Sequence, residues 1–312
     1  MIPGLFKSSR IVLLFIIILL CIQCSKKKEA QQEESATSGK LIVFSDPSFS
    51  PVIDAEKAVF EALYPKASIE IKDTPELTAL QKLFRDSADI IITGRPLSQK
   101  ERTYFHDQQA VINEMHFATD ALAFLINPKL SPWVTTKDTL KLLLNGTLKT
   151  WDQVKASFPN KPIKIVFDQS NSSNLQRAIT KFGLLPSKTS IAAAGSNMEV
   201  IKHVSKNPYS LGVIGSAFIS DEESAKAEVS RQAVAVVQLR NTTATPFSPF
   251  QSSLYDKENP FSRKIYIIRR NKRMDLGAGF TTFLMSDRGQ RIVLKAGLLP
   301  AIMPSREVII TQ

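Results

Sequence analysis

Cysteine is almost absent from this chain of 312 residues. Its two cysteines, Cys21 and Cys24, both lie close to the N-terminus, and residues 25–312 contain none. A folded part without cysteine has no disulfide bond and no thiolate metal site. Whatever stabilises this protein must therefore come from core packing, hydrogen bonds and ion pairs.

Motifs of catalysis are lacking as well. No G-x-S-x-G nucleophile turn occurs, and the nearest strings, residues 192–197 and 212–218, do not match it. No carboxylate pair lies in a motif typical of glycoside hydrolysis. The histidines are not spaced as metal ligands; they are His106, His116 and His203. We therefore expect no enzymatic activity, no metal and no cofactor.

The chain has one long apolar run, residues 11–22, which is too short to span a bilayer of roughly 30 Å. Lys7 and Arg10 precede this run, as basic residues precede the core of a signal peptide. Cys24 follows it and is itself followed by polar residues, so the segment resembles a bacterial lipoprotein signal with Cys24 as the lipidated residue. Gln23 departs from that pattern, which prefers a small residue. The alternatives are a short signal anchor and plain secretion.

The segment after the apolar run is polar, charged and free of large apolar residues, which is typical of a flexible tether. We predict a signal peptide over residues 1–23, a tether over residues 24–39 and a folded part that begins near Lys40. This organisation predicts an exported, membrane-anchored lipoprotein that faces the periplasm or the cell exterior.

Positive charge dominates the composition. The 40 Lys and Arg residues exceed the 29 Asp and Glu residues, which gives a formal net charge of +11. This balance favours an anionic ligand or an anionic membrane surface as partner. Nucleic acid is a weaker hypothesis, because an exported chain rarely meets it and no basic run is interleaved with aromatic residues.

Apolar strand patterns alternate with helical patterns along the folded part. Residues 41–44, 67–71 and 89–93 read as buried strands separated by helices, which predicts a mainly parallel α/β sheet covered on both faces. The most economical arrangement is two such lobes with a cleft between them, linked by strands near 120–127 and 234–239. We predict lobe one over residues 40–124 and 239–312, and lobe two over residues 125–238.

Three loops follow predicted strands and precede helices: residues 45–50, 94–98 and 168–174. Ligands of open α/β sheets lie beyond the carboxyl ends of the strands. The N–H groups at a helix N-terminus bind anions, so three such ends would form an anion site with few charged side chains. The loop at 168–174, DQSNSSN, is the richest in small polar residues. An ordinary helix N-cap is the alternative interpretation of its serines.

Six segments occur in the order found in one family: ADIIITGRPLSQKE (88–101), NGTLKTWDQV (145–154), IVFDQSNSSN (165–174), NPYSLGVIGSAFIS (207–220), FSRKIYII (261–268) and FLMSDRGQRIVLKAGLLPA (283–301). With these segments the chain resembles the substrate-binding proteins of phosphate ABC importers, which have the type II periplasmic binding protein fold. The resemblance implies a monomeric receptor that captures inorganic phosphate or a similar oxyanion between its lobes. It would deliver the anion to an ABC permease in the membrane, without covalent chemistry.

The resemblance also implies a set of ligand-binding residues. Ser172 falls on the serine of the family's phosphate turn, and Thr93 falls on the serine that ends the third strand. The whole implied set is Ser48, Phe49, Thr93, Arg95, Asp168, Asn171, Ser172, Ser173 and Asn174.

The chain departs from the family pattern at two charged positions. The carboxylate that can accept a phosphate proton aligns with Gly94, and the arginine before the phosphate turn aligns with Asp168. Arg95 lies on the opposite loop. One hypothesis is an exchange across the cleft, in which Arg95 binds the oxyanion and Asp168 favours a protonated anion over sulfate. The other is a structural ion pair between Arg95 and Asp168.

These departures keep a second function open. The turn at residues 72–75 also lacks the family's glycine- and serine-rich sequence. The chain would then be a surface lipoprotein or a sensor of the same fold, which binds another anion or a protein partner and feeds no transporter.

Overall fold

The computed structural model describes residues 35–240, 245–270 and 275–305. The predicted signal peptide, the lipidation site at Cys24 and most of the tether lie outside these residues. Within the described ranges, no helix has both the length and the apolar character needed to cross a membrane.

The first part of the chain alternates strands and helices, as the pattern predicts. Its elements are β1 (Gly39–Ser45), α1 (Ser50–Leu63), β2 (Ala67–Asp73), α2 (Glu76–Phe84), β3 (Ile90–Thr93) and α3 (Gln99–Asp107). β1 pairs in parallel with both β2 and β3, so the carboxyl ends of all three strands lie at one edge of the sheet.

A long strand, β4 (Ile112–Ile126), leads into the second part of the chain. The elements that follow are β5 (Val134–Thr135), α4 (Lys137–Leu144), α5 (Trp151–Val154), β6 (Lys164–Phe167), α6 (Ser173–Phe182), β7 (Ile191–Ala193), α7 (Asn197–Lys206), β8 (Ser210–Gly215), α8 (Ala217–Ser220), α9 (Ala225–Ala233), β9 (Ala235–Val236), β10 (Gln238–Leu239) and α10 (Gln251–Leu254). β6 pairs in parallel with β7 and β8.

The chain then returns to the first part through β11 (Ser262–Arg270), α11 (Leu276–Met285), α12 (Asp287–Lys295) and β12 (Leu299–Pro300). β4 belongs to both halves of the molecule: residues 112–121 pair with β11, and residues 122–125 pair with β8, both in antiparallel fashion. The resulting strand order is β2-β1-β3-β11-β4-β8-β6-β7. β4 and β11 therefore lie where the two halves meet.

Each half has its own core. One hydrophobic cluster gathers β1, β3, α1 and α11 through residues such as Val43, Ile53 and Phe280. We call this half lobe one. The other cluster surrounds Trp151 and Phe167, and we call that half lobe two.

The position at which the chain re-enters lobe one bears on the predicted lobe boundaries. Phe247, Leu254 and Phe261 pack in the core of lobe two. Their packing favours a second crossing at the start of β11 rather than at residue 239. The boundaries themselves stay a prediction.

Glu56 in α1 is a buried carboxyl group without a partner among the described residues. It is fully buried, and within the described part of the chain neither of its carboxyl oxygens has a hydrogen-bond partner. Burial disfavours the ionised form and raises the pKa of Glu56 from 4.5 to about 9. The side chain is therefore protonated in the folded protein at neutral pH.

We expect Glu56 to make stability depend on pH. Since its pKa is higher in the folded state, its favourable contribution is complete below pH 4.5 and is lost as the pH rises towards about 9. The free energy of unfolding should fall by up to about 1.4 kcal/mol per pH unit from this group. Glu56→Gln keeps the shape but does not titrate, so its advantage over the wild type should grow between about pH 5 and about pH 8. Urea unfolding at both pH values measures this difference, and an equal difference at both would contradict the assignment.

Candidate functional site

The carboxylate of Asp46 lies where the two lobes meet. Asp46 follows β1 directly and is fully buried. Its Oδ1 accepts hydrogen bonds from the N–H of Ser48 and the hydroxyl of Ser173, each at 3.0 Å. Its Oδ2 accepts from the N–H groups of Glu76 and Ser173, again at 3.0 Å. One side chain thus receives four hydrogen bonds from both lobes.

The three backbone donors come from helix N-termini. Ser48 lies in the short 3-10 helix Pro47–Phe49, which continues into α1, while Glu76 and Ser173 are the first residues of α2 and α6. N–H groups at the start of a helix have no partner within it, and the helix dipole favours negative charge there. The arrangement therefore binds one anionic group strongly, and in this structure that group is Asp46.

All three loops predicted to converge reach the cleft, but the loop at 94–98 lies beside Glu76 and gives no donor to Asp46. The loops at 45–50 and 168–174 supply donors, but the third helix is α2 rather than α3, which follows the loop at 94–98. The N-terminus of α3 is closed by its own capping box, in which Ser98 and Glu101 bond to each other's N–H groups. Its donors are thus already used.

Arg263 is the cation of the cleft. It lies in β11 opposite Asp120 in β4, and both side chains are buried. Its Nε and Nη2 donate to the two carboxylate oxygens of Asp120 at 2.9 and 2.6 Å. This bidentate geometry is the strongest form of an Arg–carboxylate pair.

The same guanidinium reaches both lobes. Its Nη1 donates to the hydroxyl of Ser173 at 2.8 Å and to the side-chain oxygen of Asn174 at 2.9 Å, both in α6. Its centre lies 4.6 Å from the centroid of the Phe49 ring in lobe one, a distance at which the ring face attracts a cation. Arg263 therefore fixes α6 and the 3-10 helix relative to the sheet.

Glu76 supplies a second carboxyl group beside Asp46. Its Oε2 accepts a hydrogen bond from the N–H of Gly94 at 2.6 Å. Burial, followed by the nearby charge of Asp46, raises the pKa of Glu76 to about 7. A Cβ at Gly94 would lie 3.1 Å from Arg263 Cδ and 3.3 Å from Glu76 Oε2. Glu76 and Arg263 therefore fill the space that a side chain at position 94 would enter.

Ser172 and Asp168 stabilise the loop before α6. The Ser172 hydroxyl accepts from the N–H of Leu175 at 3.3 Å and donates to Oδ1 of Asp168 at 2.7 Å. Oδ2 of Asp168 accepts from Asn197 Nδ2 at 3.3 Å. The N-cap interpretation therefore holds for Ser172, whereas the neighbouring Ser173 faces Asp46.

Arg95 has a different partner from the one considered in the sequence analysis. Its two terminal nitrogens each donate to Glu101 at 2.8 Å, and its Nε lies 3.7 Å from Glu76. In the described part of the chain no ion pair joins Arg95 to Asp168. Glu101 is held at the start of α3, six residues along the chain, and captures the guanidinium at the rim of the cleft.

The remaining predicted site residues form two groups: two residues contact Arg263, and two hold loops. Phe49 and Asn174 contact Arg263, as described. Thr93 donates its hydroxyl to the carbonyl oxygen of Arg95 at 2.8 Å, and Asn171 Nδ2 lies 3.3 Å from the hydroxyl of Thr78 across the cleft. The latter two contacts hold loops and do not reach Asp46.

Several residues that are central to the site were not predicted from the sequence: Asp46, Glu76, Asp120, Asn197 and Arg263. Two of them carry a recognisable signal, because charged residues inside apolar strands are almost never buried unpaired. Asp120 opens an apolar stretch of β4, and Arg263 lies near the start of β11. The sequence cannot show that they pair, since 143 residues separate them.

A cavity of about 650 Å³ opens beside this network. Asp256 is the one carboxylate among its lining residues, which include six cations: Arg95, Arg177, Lys181, Lys257, Arg263 and Lys264. Nε of Arg177 and Oγ of Ser262 are buried without a hydrogen-bond partner among the described residues. The cavity is therefore a basic vestibule to the cleft. Among the described residues, no three His, Cys, Asp or Glu side chains are grouped to hold a metal ion.

Comparisons with known proteins bear on the fold and the family. The model of the PBP superfamily domain matches residues 30–288. A Staphylococcus haemolyticus protein named phosphate-binding protein PstS is 22% identical over 246 residues, which is 77% of this chain and 75% of that protein. Its namesake from Borreliella burgdorferi is 24% identical over 259 residues, or 80% of this chain and 86% of that protein.

A solved structure from Clostridium perfringens with bound phosphate superposes with a TM-score of 0.70. It is 18% identical in sequence and covers 85% of this chain and 100% of its own. This likeness confirms the two-lobed type II fold predicted from the sequence.

Removing the Arg263 guanidinium tests how much the network stabilises the fold. Arg263→Ala leaves Asp120 buried without its partner, which should lower the free energy of unfolding by about 3–5 kcal/mol. The matched control is Lys202→Ala, which breaks an exposed pair with Glu199 at 3.2 Å and should cost less than about 1 kcal/mol. Urea unfolding measures both. Similar losses for the two variants would mean that the buried pair contributes little.

Proposed function

This chain belongs to the PBP superfamily, and we propose that it is a lipid-anchored solute-binding protein that captures a small oxyanion between its lobes. Phosphate is the first candidate, and an ABC importer is the partner that would take it up. The family consists of substrate-binding proteins and not of enzymes, so the chain acts by binding. The family indicated by the sequence resemblance is thereby confirmed.

One observation carries the proposal: helix N-termini from both lobes direct their N–H groups at a single point. The amides of Ser48, Glu76 and Ser173 meet there, joined by the Ser173 hydroxyl. Donors in this arrangement match the several acceptor oxygens of an oxyanion. The names of the two curated relatives, and the phosphate bound in the Clostridium perfringens structure, support phosphate as that anion.

Capture would work by closure of the two lobes. A ligand that accepts hydrogen bonds from Ser48 and Glu76 on one side and from Ser173 on the other binds best when the lobes are together. It therefore shifts the population towards the closed state. β4 and β11 lie at the junction, where small changes along the strands would move one lobe against the other.

Anchoring and location belong to the same proposal. Lipidation of Cys24 would hold the exported protein at the membrane, and residues 25–39 would give the lobes reach towards a permease. The support is the basic and apolar N-terminal sequence.

Ser173 gives a direct test of the site. Titration calorimetry on residues 25–312, refolded to remove carried ligand, should detect binding of phosphate. Ser173→Ala removes a hydroxyl donor and should weaken binding at least about tenfold, which is about 1.4 kcal/mol. Ser224→Ala, at the N-cap of α9 and away from the cleft, should leave the affinity unchanged. Absence of heat with phosphate, sulfate and molybdate alike would rule out the oxyanion function.

The basic vestibule predicts a salt-sensitive association rate. Lys257 and Lys264 line it and raise the local concentration of anions. Changing both to Gln should slow association several-fold at low salt, with a smaller effect near 0.5 M salt, where charges are screened. Lys161→Gln, an exposed lysine that is not among the residues lining the vestibule, is the control. Stopped-flow measurements that give equal rates for all three proteins would contradict this role.

The second candidate is a sensor or surface lipoprotein of the same fold that feeds no transporter. The specific observation in its favour is that Asp46 already occupies the anion-binding donors. A permease and an ATPase encoded beside this chain would favour transport instead.

A further inference from the structure

The four hydrogen-bond donors at the centre of the cleft all bind a side chain of the protein itself. Oδ1 of Asp46 accepts from Ser48 and from the Ser173 hydroxyl, and Oδ2 accepts from Glu76 and from the Ser173 amide. An ionised carboxylate has about four lone-pair sites in total. The acceptor sites of the Asp46 carboxylate are therefore all occupied, and each of the four donors has Asp46 as its partner.

We propose that Asp46 is the resident anion of the cleft: its carboxylate takes the place of a captured oxyanion, and an inorganic oxyanion binds only by displacing it. Asp46 would thus set the affinity of the site. This inference rests on the proposed function, because displacement has meaning only if the same donors bind an external anion.

Space and charge both require displacement. The four donors lie about 3 Å from the Asp46 oxygens, so an anion that used them would overlap the carboxylate. An anion placed alongside would meet like charge in a buried site, where repulsion is poorly screened. The guanidinium of Arg263, which would have to offset that charge, is already bound by both oxygens of Asp120.

Asp46 also does mechanically what a captured ligand would do. It belongs to lobe one, and its bonds to the N–H and hydroxyl of Ser173 reach α6 of lobe two. The lobes approach closely at this point, since a Cβ at Gly215 in β8 would lie only 2.7 Å from the carbonyl oxygen of Ser48. Asp46 therefore stabilises the contact between the lobes from within the chain.

The test compares wild type, Asp46→Gly and Asp46→Asn in the full chain, held in detergent because of its apolar N-terminal run. Asp46→Gly removes the carboxylate and leaves its four hydrogen-bond donors in the protein. Asp46→Asn keeps the volume and one acceptor oxygen but removes the charge. Asp107→Gly, at an exposed position in α3, is the matched control. Phosphate titration gives the affinities, and amide hydrogen exchange reports the protection of the segments that contain Ser48, Glu76 and Ser173.

We expect Asp46→Gly to bind phosphate at least about tenfold more tightly than wild type, and Asp46→Asn to lie between the two. Without phosphate, Asp46→Gly should lose protection in the three segments, and added phosphate should restore it. The wild type and Asp107→Gly should keep protection throughout. If Asp46→Gly does not fold without anion, recovery of folding in phosphate supports the same conclusion, and the Asp46→Asn protein supplies the affinity.

The outcomes separate this inference from the proposed function. Equal phosphate affinity for wild type and Asp46→Gly overturns the inference and leaves the function intact. No phosphate binding by either protein rejects phosphate capture and displacement together, and protection lost in Asp46→Gly would then give Asp46 a purely structural role. No binding and no change in protection reject both.

Discussion

The buried pair between Arg263 and Asp120 is the constraint on which the rest of the cleft depends. The two residues lie opposite each other in β11 and β4, the strands that join the lobes. Removing two charges from water is unfavourable unless both are fully hydrogen-bonded, and here the guanidinium satisfies Asp120 with two bonds and α6 with two more. The position of α6, and with it that of Ser173, follows from this pair.

Several acidic groups are buried around this pair. Asp46, Glu76 and Asp120 lie within reach of the charge of Arg263, and Glu76 also lies 3.7 Å from Nε of Arg95. Helix N-termini add positive potential, because three of them end at Asp46. Burial, followed by the nearby charge of Asp46, raises the pKa of Glu76 to about 7. A site balanced in this way has little capacity for a further negative charge while Asp46 remains in place.

The sequence predicted more of the fold than of the site. Alternating strand and helix patterns indicated the two-lobed architecture, and the loops at 45–50, 94–98 and 168–174 were all correctly placed at strand ends. Of the two hypotheses for Arg95, the ion pair with Asp168 was wrong: its partner is Glu101, which forms a visible S-x-x-E capping box with Ser98. Asp46 was passed over because its neighbours suggest a turn, and only the tertiary structure brings α2 and α6 to its carboxylate.

The likeness to phosphate-binding proteins is stronger evidence for the fold than for the identity of the anion in the cleft. Helix N-termini bind a carboxylate or a phosphate through the same N–H groups, so the scaffold is retained whichever anion is present. In this chain Glu76 and Arg263 fill the space beside Gly94, and Asp46 satisfies the donors. Whether such a cleft works as a receptor therefore depends on the competition between one internal carboxylate and an external anion for the same four hydrogen bonds.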